Sequence, residues 1–171
     1  MRKLIVGVAV AAAVSTGVAG AATSPAGAVA PVPSCKGALI AVSHSHPQGA
    51  TGHGNVVVIF RNISQHTCSL RGYPGLDAIG RNGNVLAHAR RTLNGFTGGA
   101  HAVRTIVLQS WQLASSDVEW MNFTANGHGC RFSKSIATTP PNTFKTFHRP
   151  VSVSVCNLQV HPVVRGSSGN G

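Results

Sequence analysis

The sequence predicts an all-β fold, an immunoglobulin-like β-sandwich of about seven to nine strands with two disulfides. Three observations predict it. Short β-branched runs recur at close spacing, Gly-, Pro- and Asn-rich turns separate them, and four cysteines follow an export-type N-terminus.

Residues 1–30 read as a secretory signal peptide with its cleavage region. Arg2 and Lys3 precede an apolar run from Leu4 to Ala22, and the small-residue stretch TSPAGAVA follows at once. Cleavage is expected after Ala28 in preference to Ala30, because cutting after Ala30 leaves Pro31 as the first mature residue. The run is only mildly hydrophobic, so removal is favoured over a retained membrane anchor, and no transmembrane segment is expected in the mature protein. Residues 31–164 then form one domain, long enough for an ordinary core.

Along that domain the strand signals fall at 38–42, 55–62, 67–70, 75–80, 102–109, 116–123, 132–137 and 151–156. Alternation is cleanest in the last, where Val151, Val153 and Val155 are separated by Ser152 and Ser154, as in a strand with one buried and one wet face. In 116–123 the same period sends Val118, Trp120 and Asn122 to one side, and Glu119, Met121 and Phe123 to the other. The sequence RNGN at 81–84 signals a tight hairpin turn through Asn82-Gly83. GYPG at 72–75, NGHG at 126–129 and TTPPN at 138–142 mark further turns. The tail 165–171, RGSSGNG, has no apolar anchor and is expected to be disordered. A closed barrel is the alternative architecture.

The stretch 55–83, NVVVIFRNISQHTCSLRGYPGLDAIGRNG, resembles a family of secreted actinobacterial domains of unknown function, marked by L-x-F-x-N and then C-x-L-x-G-Y-P-G. Ile59, Phe60, Asn62, Cys68, Leu70, Gly72, Tyr73, Pro74 and Gly75 carry the resemblance. Cys35, the TPPNT turn at 139–143 and Cys156 extend it over nearly the whole domain. Spacing alone leaves three disulfide connectivities open; the resemblance implies the neighbour pairing Cys35–Cys68 and Cys130–Cys156 within a β-sandwich. Loops of about 34 and 27 residues closed in this way contribute roughly 3.5 to 4 kcal/mol each in the chain-entropy picture. The resemblance implies no activity. Read physically, Gly72, Tyr73, Pro74 and Gly75 form a structural turn: Pro74 presets φ, and a flanking glycine takes any positive-φ position. A binding role for Tyr73, the one tyrosine, is the lesser reading.

Charge bounds the partners. Fourteen lysines and arginines less Arg2 and Lys3 leave twelve, against three acidic residues, a mature net charge of +9. Such a balance suits anionic envelope polymers or another protein. Nucleic acid is not expected: Arg90-Arg91 is the one adjacent basic pair of the mature chain, and one Tyr and two Trp cannot supply a stacking platform. Protonation of nine exposed histidines with ordinary pKa near 6.5 would carry the charge from +9 towards +18 in mild acid.

Catalytic chemistry is poorly supplied. Asp77, Asp117 and Glu119 are the whole acidic inventory; the last two share one face of a strand and are expected to be a solvated pair beside basic side chains. There is no GxSxG elbow, GATGHG at 49–54 lacks the GK[ST] of a phosphate loop, and paired cysteines leave no thiol. An enzyme and a cofactor are therefore not expected. His44, His46 and His53 are the candidate metal ligands, for copper or zinc: the first two point the same way from an extended segment and the third folds back. The leading expectation is a secreted or envelope-associated, non-enzymatic binding module with a basic surface, and a histidine-loop metal-binding protein is the alternative.

Overall fold

The computed structural model describes residues 30–171, of which Pro31–Gly171 make up one unit. The expected signal peptide and its preferred cleavage point after Ala28 lie outside the described residues. Among the described residues, thirteen strands and a single 3-10 turn, Gly37–Leu39, follow one another. They are β1 (Ile40–His44), β2 (Gln48–Ala50), β3 (His53–Asn62), β4 (Cys68–Arg71), β5 (Gly75–Ile79), β6 (Val85–His88), β7 (Arg90–Arg91), β8 (Thr105–Leu108), β9 (Leu113–Met121), β10 (Ser135–Thr139), β11 (Phe147–Arg149), β12 (Cys156–Val160) and β13 (Val164–Arg165). The count exceeds the seven to nine expected because edges are broken into pieces: β1 and β2 both pair with β3, and β7 and β13 are two residues long.

The backbone of the large sheet runs β1-β3-β9-β12-β7, with β2 on β3 and β13 on β9. Its centre is the β3–β9 ladder, antiparallel from His53 opposite Met121 to Arg61 opposite Leu113. A four-stranded sheet, β11-β10-β5-β6, and the β4–β8 pair complete a sandwich-like all-β arrangement. Alternation decides the core: Val56, Val58 and Phe60 of β3 and Ala114, Val118 and Trp120 of β9 turn one way, onto Leu76, Ala78 and Ile136 of the second sheet and Leu70 and Leu108 of the short pair. Full burial of a side chain such as Phe60 contributes about 1.5 to 3 kcal/mol.

Both disulfides have the neighbour pairing. Cys35–Cys68 clamps the segment before β1 onto β4, where Cys35 N donates to Ser69 O and Ser69 N to Pro33 O. Cys130–Cys156 ties the connection after β9 to the start of β12. Asn62, fully buried, explains the asparagine of the F-x-N pattern: its Nδ2 faces the carbonyls of His66, Leu108 and Gln109, and its Oδ1 accepts from Ser64 N and Oγ. The side chain thus joins the end of β3 to the following turn and to β8.

Three expectations are corrected. Residues 151–156 are not a ladder strand, although Val151 and Val153 are buried: they make one isolated antiparallel bridge, Ser154 opposite Phe132, while Val151 N donates to Arg149 O and Val153 N to Ser133 Oγ. The regular strand begins where this one was expected to end, at Cys156. The span 102–109 is ladder only over Thr105–Leu108. The tail is ordered: Gly169 N donates to Ser115 Oγ, Asn170 Oδ1 accepts from Gly99 N, and Gly171 N donates to Gly99 O. Backbone groups anchor it where apolar side chains were missing.

Candidate functional site

The period of β9 places Ser115, Asp117 and Glu119 on the face of the large sheet that points away from the core. On neighbouring strands the same row holds Asn55 opposite Glu119 and Val57 opposite Asp117 from β3, and Gln159 opposite Glu119 from β12. One residue beyond β12, His161 returns to this face, its N–H donating to Asp117 O. Two glycine-rich segments, 92–99 and the tail, lie over the row. Asp117, Glu119 and His161 are therefore only 1%, 3% and 0% exposed, and the expected solvated pair is instead a buried one.

Close approach explains the covering composition. A Cβ on Gly95 would overlap the Glu119 carboxylate, so glycine alone lets the 92–99 backbone descend onto the acid. The descent brings Thr97, whose N–H donates to Glu119 Oε2 at 2.8 Å. Asn55 Nδ2 donates to Asp117 Oδ1 at 3.0 Å, and Gln159 Nε2 to Glu119 Oε1 at 3.2 Å.

The Thr97 hydroxyl stands 2.8 Å from Asp117 Oδ2 and 2.9 Å from Glu119 Oε2. A hydroxyl has one proton, so it can donate to only one of them; the other contact is a hydrogen bond when a protonated carboxyl donates to the hydroxyl. Burial raises the Asp117 carboxyl above its ordinary range, and Glu119 adds to the rise, against lowering by Thr97, Asn55 and His161. A proton on Asp117 would complete the chain Asp117 to Thr97 to Glu119.

His161 is left unsatisfied at one end. Its Nδ1 lies 3.0 Å from Thr92 O and 3.2 Å from the Thr92 hydroxyl; a carbonyl only accepts, so the closer contact is a hydrogen bond when Nδ1 carries the proton. Nε2 is buried with no hydrogen-bond partner, 4.0 Å from Glu119 Oε2. Among the described residues, Asp117, Glu119 and His161 are the group of three His, Cys, Asp or Glu side chains whose ligand atoms come within 4.8 Å of one another.

The histidines singled out in the sequence do not converge. His44 lies opposite Val58, five residues along β3 from His53, a separation of roughly 16 Å at the usual strand rise. The intervening segment is not a floppy loop: β2 and β3 form a hairpin in which Ala50 pairs with His53. His44 Nδ1 is engaged with Ser45 O, His46 is exposed, and the His53 ring stacks on Phe96 at 4.1 Å between centroids. A shared copper or zinc ion on these three is thereby not supported. In the GYPG block, Gly72 takes φ +101° and its carbonyl accepts from Val163 N, Tyr73 is half-buried, Pro74 is buried, and Gly75 opens β5.

The surface shows the complement of the buried acids. Eleven of the twelve lysines and arginines after residue 30 are exposed, Arg149 being half-buried. Asp77, the remaining acid, pairs with His88 at 2.7 Å. Among the described residues, no lysine or arginine forms a salt bridge: the two ion pairs are both to histidine. One concavity of ≈ 360 Å³ gathers Arg81, Asn82 and Asn84 from the β5–β6 hairpin with Arg131 and Phe132 beside the second disulfide. No helix of the described residues is long and apolar enough to cross a membrane.

Sequence reasoning found Asp117 and Glu119 but missed His161, Thr97 and the cover. The signal for His161 was present: in LQVH, 158–161, Leu158 and Val160 alternate with Gln159 and His161, a strand pattern hidden behind the stronger valine run before it.

Fold and site together define a disulfide-stapled β-domain with an acid pair sealed inside and exposed charges that are almost all basic. The chain belongs to the family described as Domain of unknown function (DUF4232), which matches residues 35–165. No curated protein and no solved structure matches it.

Proposed function

We propose that this protein is a secreted or envelope-associated, non-enzymatic module that binds anionic envelope polymers through its basic surface. One observation carries the reading: every carboxylate side chain after residue 30 is buried or paired with histidine, while eleven of twelve lysines and arginines face solvent without a carboxylate partner. Such a surface attracts a polyanion at every approach and has almost no acid to repel it. Arg81 and Arg131, flanking Asn82 and Asn84 in the hairpin concavity, suit a phosphate or carboxylate, since a guanidinium donates two parallel bonds to either. Export is supported by the two disulfides, which persist in oxidising compartments. The absence of catalysis is supported by the cover over Asp117 and Glu119, which keeps substrate from the carboxylate pair.

The test is binding to a purified phosphate-bearing polyol polymer and to a neutral polysaccharide of equal length. Retention on the first and not the second is expected, with Arg81→Ala and Arg131→Ala together weakening it at least about threefold. Equal retention on both polymers overturns the proposal.

A further inference from the structure

The buried cluster holds more ligand chemistry than its hydrogen bonds use. His161 Nδ1 is engaged by the Thr92 carbonyl and hydroxyl, which leaves Nε2, without a hydrogen-bond partner, facing the acid pair. A buried ring nitrogen left without a partner beside carboxylate oxygens is unfavourable in a site closed to water, and a cation lying between them would satisfy both. At 4.0 Å from Glu119 Oε2, Nε2 is also too far for a hydrogen bond of its own.

We propose that Asp117, Glu119 and His161 bind one divalent metal ion of the zinc class. One imidazole nitrogen and two carboxylate oxygens form a donor set that zinc accepts, and hard cations such as calcium and magnesium favour oxygen alone. Zinc bonds of about 2.0 to 2.2 Å at tetrahedral angles put ligand atoms about 3.3 to 3.5 Å apart; the three ligand atoms here lie within 4.8 Å of one another, with Nε2 and Oε2 at 4.0 Å, so side-chain shifts of about an ångström or less at each residue close the set. Surroundings fit as well. The Nδ1–H to carbonyl bond is the contact that ordinarily fixes a metal-bound histidine ring, and Asn55 and Gln159 hold the outer carboxylate oxygens. Thr97 Oγ1, within hydrogen-bond distance of both acids, stands where a fourth donor would be. The ion would join β9, the end of β12 and the 92–99 cover at one point.

The test uses the full secreted chain with disulfides intact, stripped by chelator in mild denaturant, returned to buffer and titrated with zinc, calcium or magnesium under native mass spectrometry. One zinc per chain is expected, with a raised melting temperature and no calcium or magnesium uptake. Asp117→Asn preserves the hydrogen-bond geometry, since an amide can donate to Thr97 and accept from Asn55; it and His161→Gln should each weaken zinc at least about tenfold. If His161→Gln fails to fold, Asp117→Asn decides alone. No zinc on the refolded parent chain, calcium or magnesium taken in its place, or zinc held equally by Asp117→Asn overturns the proposal; the last result would place the ion on surface histidines.

Discussion

Thr97 Oγ1 lies 2.8 Å from Asp117 Oδ2, a contact between a glycine-rich loop and the central strand of the large sheet. Glu119 Oε2 lies 2.9 Å away on the other side of the same hydroxyl, and burial raises the Asp117 carboxyl above its ordinary range.

Stability of the chelated protein should therefore depend on pH in a definite direction. Asp117 has a folded pKa raised, chiefly by burial, above the ordinary 3.8. Between those two values the folded chain holds the proton more tightly than the unfolded chain. Its contribution is complete below 3.8 and is lost as pH rises through the folded value. Asp117→Asn should remove that slope and melt no lower than the parent at neutral pH. Urea titrations across pH 3 to 8 in chelator check this; a parallel pH profile for parent and variant counts against the shared proton.

Gly95→Ala should cost about 1 to 3 kcal/mol, because the new methyl meets the Glu119 carboxylate and the cover must lift. Gly129→Ala is the control, with nothing within 4 Å of its Cβ, and should change stability by less than about 1 kcal/mol. Denaturant midpoints of the two variants, compared with parent, decide it.

Deleting 166–171 should expose Ser115 and Gly99, which lose their bonds to Gly169, Asn170 and Gly171. Hydrogen exchange is the measurement: amide protection should fall at Gly99 and across the 92–99 cover, with the β3–β9 ladder retained. Unchanged protection at Gly99 would show that the tail merely rests there.

The tail also shows which parts of the fold the sequence makes legible. Strand identity, the hairpin at Asn82-Gly83 and the all-β class follow from local alternation and turn chemistry, and the ladders around Val56–Phe60 and Leu76–Ile79 repeat them. The cover does not follow, because NGFTGG and GSSGNG have no apolar pattern; they pack through backbone bonds that glycine permits and composition does not reveal. Asp117 and Glu119 read as solvated for the same reason: their own strand places them on the outer face, and segments remote in sequence bury them there. The three candidate histidines fail in the opposite way, close in sequence and drawn apart by the hairpin register.

The two disulfides should differ in reactivity. Cys35 and Cys68 are 2% and 7% exposed, whereas Cys130 and Cys156 are half-buried. Under mild reductant the Cys130–Cys156 bridge is expected to open first, since thiolate attack needs access to sulfur. Timed alkylation and peptide mass spectrometry read the order. Replacing Cys35 and Cys68 together by alanine should then cost about 2 to 5 kcal/mol.

The central claim is that withdrawal of the acids leaves a surface that holds polyanions. Its most direct measurement is the affinity for a phosphate-bearing polyol polymer as a function of salt. Counterion release predicts a linear fall of log K with log salt, at least about tenfold between about 50 and 200 mM. An affinity that does not change with salt would contradict it.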